Sequence, residues 1–242
     1  MRADALPRTD GPTIVCTQAG NVNTGACDPI GAIADAAHAR DAWVHVDGAF
    51  GLWAAAAPAR AALVDGAAGA DSWAVDAHKW LNVPYDSGVA FVRDGAALRG
   101  AMSVLAPYLG SGGPPEPCHA TPEMSRRARA VEIWAALRTL GRAGVAELVE
   151  RCCVHAARFA ERMRAAGFDV LNDVVLNQVL VAFGDDARTD AVVAAVQRDG
   201  TAWCGPTLWQ GRRAMRISVS SWATSEADVE RAADAIIHVA AL

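Results

Sequence analysis

Asp71-Ser72-Trp73-Ala74-Val75-Asp76-Ala77-His78-Lys79-Trp80 is the stretch on which the reading of this 242-residue chain turns. Its first half, Ser72 to Val75, is a short run of strand-forming residues, and it ends in Asp76, His78 and Lys79. A second segment has the same form 28 residues earlier: Trp43-Val44-His45-Val46-Asp47-Gly48-Ala49-Phe50-Gly51, a predicted strand over Trp43–Val46 that runs out at Asp47. Further strands are predicted at Thr13–Thr17, and a third apolar run spans Gly88–Val92. Between the first two strands, Pro29–Arg40 reads as a helix with Ile30, Ile33, Ala34 and Ala37 on one face and proline in its first turn. Strands alternating with helical patterns imply βαβ units and a largely parallel sheet. In an open parallel sheet, ligands bind beyond the carboxyl ends of the strands, so Asp47 and Lys79 are expected to face one crevice.

The composition sharpens interest in residue 79. Of the 22 basic residues, 21 are arginine, and Lys79 is the only lysine. Arginine serves as a solvating cation, but it stays protonated and cannot act as an amine nucleophile; lysine can lose its proton and form a Schiff base. An acid and an amine at neighbouring strand ends suit pyridoxal phosphate. The lysine would hold the aldehyde, and the carboxylate would keep the pyridine nitrogen protonated so that the ring acts as an electron sink. Ala49, two residues after Asp47, is small enough to lie under a flat ring. The plainer alternative is an aspartate that caps a turn and a lysine that pairs with it.

The same numbers exclude other classes. The chain is 52% hydrophobic, too apolar for a disordered polypeptide. A net charge of −5 and a pI of 5.6 argue against binding nucleic acid through phosphate neutralisation. The opening MRADALPRTDGP has no apolar core of a signal peptide, and the charge-free stretch 48–59 is too short to span a bilayer. Six cysteines without CxxC or Cys/His metal spacing read as reduced thiols of a cytoplasmic protein, with no metal site.

Residues 106–122, APYLGSGGPPEPCHATP, hold five prolines and three glycines and are predicted to be a long loop. Helices are predicted from Glu123 to Leu140, ended by Gly141 or Gly144, and from Val145 to about Ala165. The remainder reads as strand (Gln178–Phe183), helix (Thr189–Arg198), strand (Met215–Val219) and helix (Ser225–Val239), with Ser225 and Asp228 placed as a capping box. Arg126, Arg127, Arg212, Arg213 and Arg216 are candidates to grip a substrate carboxylate.

Taken with TQAGNVNTGACDPI (17–30), the SRRAR segment (125–129) and MRISVSSWAT (215–224), these two segments resemble the pyridoxal-phosphate-dependent amino-acid decarboxylases related to aromatic-amino-acid and glutamate decarboxylases. The resemblance implies an α/β protein of fold type I: the second half of the large parallel-sheet domain over 1–128, then a small C-terminal α/β domain over 129–242. It implies decarboxylation of an L-amino acid through a Lys79 Schiff base, with pyridoxal 5'-phosphate as cofactor, and a homodimer. By position, Lys79 resembles the Schiff-base lysine, Asp47 the partner of the pyridinium and Ala49 the residue under the ring. His78 and Asp76 resemble groups near the phosphate.

The chain also departs from the family. Asp76 stands where asparagine is usual, and a carboxylate near a phosphate is unfavourable unless protonated or turned away. Val22 stands where a hydroxyl residue usually meets the ring oxygen; Asn21, Asn23 or Thr24 are the substitutes at hand. The loop lacks the family's proton-donating tyrosine at the matching point, where Pro117 falls with His119 close by, while Tyr108 lies at the loop's start. The family's phosphate cup and second ring-stacking residue lie upstream of the matched region, so Met1 reads as an internal start or a truncation, with a sheet edge left for another chain to cover. Gly110-Ser111-Gly112-Gly113 lacks the strand before it and the helix after it that a phosphate loop needs. Two alternatives stay open: another reaction such as transamination, or a non-catalytic fragment that needs a partner chain.

Overall fold

A computed structural model describes residues 1–103 and 116–242. The first sheet has the order β1 (Ile14–Gln18), β2 (Trp43–Asp47), β3 (Ser72–Asp76), β4 (Gly88–Val92). The first three strands are parallel, with Gln18 beside Asp47 and Asp47 beside Ala74. β1 and β2 are joined by helix α1 (Ile30–His38), whose buried residues Ile30, Ile33, Ala34 and Ala37 are the face the spacing predicts. Each isoleucine so removed from water contributes about 1.5–3 kcal/mol.

Two features differ from the sequence reading. The crossover from β2 to β3 carries three short 3-10 turns (Gly51–Ala56, Ala61–Val64, Ala67–Gly69) in place of an α-helix. β4 runs antiparallel to β3, with Asp76 beside Gly88. The chain reverses within the few residues after Lys79, where the Ala77 and His78 amides both donate to the Ser87 carbonyl. A short apolar run carries no information on strand direction.

After β4 comes helix α2 (Gly95–Met102), capped by the Asp94 carboxylate. The long helix α3 (Ala130–Ala165) follows. Gly141 interrupts it at φ 61°, ψ −175°, so the break falls where the sequence places it. Its start is seven residues later than Glu123, and in the segment before it Arg127 and Arg129 reach back to the Tyr85 and Asp86 carbonyls.

The second sheet has the order β5 (Asp169–Val170), β6 (Gln178–Ala182), β8 (Arg212–Ser218), β7 (Gly205–Trp209), antiparallel throughout. β7 and β8 form a hairpin that the sequence reading lacks. Gln210 and Gly211 turn it with φ of 49° and 81°, the double positive φ of a type I′ turn. Helix α4 (Asp186–Asp199) packs against this sheet, helix α5 (Glu226–Ala241) packs against α3 and α4, and α5 opens with the expected Ser225–Asp228 capping box. β6 is buried at every position, and its core is continuous with that beneath the first sheet.

Candidate active site

The parallel pairing carries β2 and β3 out of the sheet side by side. Beyond Asp47 the chains stay in register: the Gly48 amide donates to the Ala74 carbonyl at 2.9 Å, and the Asp76 amide to the Ala49 carbonyl at 3.0 Å. These bonds fix Ala49 against the root of the Lys79 turn. Behind it, Gly20 crosses Gly51 so closely that a Cβ on Gly20, itself at φ +85°, would lie 2.7 Å from the Gly51 Cα. Only glycine lets the two backbones pass there.

A cavity of about 290 Å³ opens at this edge. Asp47, Ala49 and Lys79 line it from the first sheet, and Gln178, Arg216 and Ser218 from the second. The expected meeting of Asp47, Ala49 and Lys79 is therefore what the geometry contains. The Asp47 carboxylate accepts the Ala49 amide at 3.1 Å and, among the described residues, has no cationic partner. Lys79 pairs instead with Asp76, Nζ to Oδ2 2.9 Å, so the pairing anticipated for the plainer reading is made with a different aspartate. The carboxylate at 76 is thus turned toward the amine.

His78 stands beside this pair, its Nε2 3.7 Å from Asp76 Oδ2. Its Nδ1 lies 2.7 Å from the Ser87 carbonyl oxygen and 3.1 Å from the Ser87 amide, and its ring meets Tyr85 edge-on. Trp80 is buried and packs on Phe50, with ring centroids 4.9 Å apart, which anchors the turn directly after Lys79.

Asn23 and Thr24 do not reach this cavity. Asn23 accepts the Thr207 hydroxyl at 2.8 Å, and Thr24 is buried, with its amide and hydroxyl donating to the Asn21 side chain. Asn21 itself does line the cavity, as does Val22. Of the five candidate arginines only Arg216 lies here. It donates to the Val22 carbonyl at 3.2 Å and has no acidic partner among the described residues. The other four are paired: Arg126 with Glu123, Arg127 with Glu132, Arg212 with Asp169 and Arg213 with Asp190. His119 accepts the Glu116 amide within its own turn. Tyr108 and Gly110–Gly113 lie outside the described residues.

Apart from Arg216, the wall from the second sheet escaped the sequence reading. Gln178 accepts the Ser218 hydroxyl at 2.6 Å, and Asn177, fully buried beside it, has a side-chain oxygen without a partner. Polar residues opening an otherwise apolar strand, Asn177-Gln178 before Val179–Ala182, were the available signal. An amine, an unpaired carboxylate, a small floor and an unpaired guanidinium suit the donor set that pyridoxal phosphate and an amino acid require. No group of three or more metal-ligating residues occurs among the described residues.

The fold and this cleft define a class: an α/β protein with a lysine-and-carboxylate site at the carboxyl edge of a parallel sheet. The chain belongs to the pyridoxal-dependent decarboxylase family, whose conserved domain matches residues 6–184. It is 30% identical to tryptophan decarboxylase 1 of Oryza sativa subsp. japonica over 91% of this chain and 46% of that protein. It is 31% identical to the aromatic-L-amino-acid decarboxylase of Bacillus atrophaeus over 65% of this chain and 34% of that one. The solved structure of Oryza sativa TDC with PLP and tryptamine superposes with a TM-score of 0.89 at 27% identity, over 95% of this chain and 51% of that one. The chain thus spans about half the length of the relatives it matches, and the fold-type-I expectation is borne out.

Proposed function

We propose that this chain carries the lysine side of a pyridoxal-phosphate-dependent L-amino-acid decarboxylase, which releases the α-carboxylate as CO2 and returns a proton to the α-carbon to give the amine. The observation that supports this reading best is the convergence of Lys79, Asp47 and Arg216 on one cavity. When bound, pyridoxal phosphate supplies a ring that accepts the electron pair left at the α-carbon. Lys79 offers the primary amine to which the aldehyde attaches. Asp47 would hold a proton on the ring nitrogen, and Ala49 would leave room beneath the ring. Arg216 grips the substrate carboxylate with parallel N–H donors. His78 and Asp76 flank the lysine. Aromatic L-amino acids, named for several relatives, are the first substrates to try.

In this reading residues 1–128 belong to the cofactor-binding domain and residues 129–242 to a small domain. The protein is a cytoplasmic homodimer. Its six free thiols suit a reducing compartment, and no helix among the described residues is long and apolar enough to cross a membrane. Sedimentation equilibrium checks the dimer.

Borohydride reduction in the presence of pyridoxal phosphate tests the site. A single lysine makes the result simple to interpret, because the N-terminus is the only competing amine. Mass spectrometry is expected to place the reduced adduct on residue 79, and Lys79→Ala to abolish it. Labelling of the N-terminus alone would sink the reading. Amine and CO2 in equal amounts from one amino acid would establish the reaction and exclude transamination.

A further inference from the structure

We infer that Asn82 is a positioning residue that fastens the Lys79 turn to the chain leaving β8, so that the amine and the Arg216 wall of the cleft hold one geometry. The inference rests on the function proposed above. Asn82 lies three residues after Lys79 with φ at +58°, a conformation that L residues other than asparagine and aspartate seldom adopt. Its amide donates to the Lys79 carbonyl at 3.2 Å, closing the turn. Its side-chain NH2 donates to the Trp80 carbonyl within the turn and, at 2.8 Å, to the Ser220 carbonyl 138 residues away. Its Oδ1 accepts the Trp222 amide at 3.2 Å.

Among the described residues, every hydrogen bond between the Lys79 turn and residues 220–222 runs through this one side chain. Residues 220–222 follow directly on β8, whose Arg216 and Ser218 line the cavity. From the other side, Arg151 on α3 donates to the Trp222 carbonyl at 2.9 Å, so the exit segment is a fixed post. The spacing explains the residue type. Glycine would accept the backbone angle but could make none of the side-chain bonds. Glutamine would offer the amide on a longer stem, with a backbone that resists positive φ.

The test compares the full-length wild type with Asn82→Gly, which keeps the turn and removes the side-chain bonds, and Asn82→Asp, which keeps only the acceptor for Trp222. Two quantities are read: the rate and pH profile of borohydride trapping of pyridoxal phosphate on residue 79, and amide hydrogen exchange across the chain. Both variants are expected to fold, with circular dichroism unchanged. Trapping should slow about tenfold and its pH profile shift, and amides at 79–82 and 220–222 should exchange about tenfold faster together, while those of β1 and β2 stay as they are. Trapping with the wild-type rate and profile in both variants would overturn the inference, since a merely structural asparagine changes exchange alone. If the wild type traps nothing on residue 79, the proposed function fails. Joint loss of protection in the two segments then still supports the fastening, and loss in only one overturns it.

Discussion

Lys79 and Asp76 form an ion pair across one turn, with Nζ 2.9 Å from the carboxylate, while Asp47 in the same cleft has no cationic partner among the described residues. The amine therefore has to leave a carboxylate before it can attack an aldehyde. Both side chains are partly exposed, at 41% and 29%, so the pair is worth about 1 kcal/mol at most. Asp76→Asn is expected to speed aldehyde capture at residue 79 by about two- to fivefold. Stopped-flow absorbance measures this, and a capture rate that falls in Asp76→Asn would show that the carboxylate assists the amine.

Asp47 separates attachment from turnover. It sits at the end of β2 with its carboxylate tied, among the described residues, only to the Ala49 amide. Asp47→Asn is expected to leave aldehyde capture at residue 79 within about threefold of wild type. It should cut CO2 release about 100- to 1,000-fold, the usual loss when a charged group facing a developing charge is removed. Radiolabelled CO2 release from the 1-carboxyl position provides the measurement. Equal losses in both quantities would mean that Asp47 serves only to shape the cleft.

Arg216 is expected to act on binding. A guanidinium held by one backbone carbonyl, with no acidic partner at ion-pair distance among the described residues, keeps donors free for a carboxylate. Arg216→Ala should raise KM for the amino acid about 10- to 100-fold, the worth of hydrogen bonds to a charged group. Arg216→Lys should recover only part of this, because a point charge replaces a fork. The matching amine, which has no carboxylate, should inhibit both variants as well as it inhibits the wild type. A loss of amine inhibition in Arg216→Ala would count against the assignment.

How far the sequence could lead here depended on whether the information was local. Asp47 and Lys79 are legible because one ends a strand and the other lies in the turn just beyond the next, and parallel pairing places both on one edge of the sheet. The α1 face and the Ser225–Asp228 box were legible for the same reason, since side chains three and four apart on a helix settle them. The reversal at β4 was not, because direction is set by the Ser87 bonds in the turn and leaves no mark on the apolar run. Asn23 was drawn away by Thr207, a partner 184 residues distant on a strand that went unseen. The sequence places Asp76 near a phosphate, yet its nearest cation among the described residues is the lysine three residues along. The wall built by Gln178, Arg216 and Ser218 depends on two sheets meeting, which no local pattern encodes.

The contact between the two halves of the core has its own pH signature. Arg60, in the crossover before β3, clasps Glu150 on α3 through two nitrogens, at 3.0 and 2.7 Å, and also reaches the Val175 carbonyl. The Arg60 guanidinium holds the Glu150 carboxyl below its ordinary value. As pH falls, the unfolded chain therefore takes up this proton first. The bridge contributes fully above about pH 5 and is lost as pH drops below about 4.3 toward the folded value. Glu150→Gln is expected to lower Tm at pH 7 by about 2–4 °C, the scale of a partly exposed pair in a chain of this size. The difference should shrink as pH falls below about 4.3. A difference that stays constant from pH 7 to pH 3 would assign the effect to packing alone.

Burial divides the thiols by reactivity. Burial pushes Cys153 up to about 12 and Cys204 to about 11, and it raises Cys152 as well. At pH 8 a thiol at 12 is ionised in about one molecule in 10,000, and the thiolate is the reactive form. Cys16, by contrast, is exposed on β1 at the free edge of the first sheet. A maleimide at pH 8 is expected to modify Cys16 at least about 100-fold faster than Cys152, Cys153 or Cys204, which should label only on unfolding. Peptide mapping against time resolves the order. Early labelling of Cys153 would show that α3 opens locally and that the core joining the two sheets is looser than its packing implies. Slow labelling of Cys16 would show the opposite at the sheet edge: that a second chain covers β1 in solution.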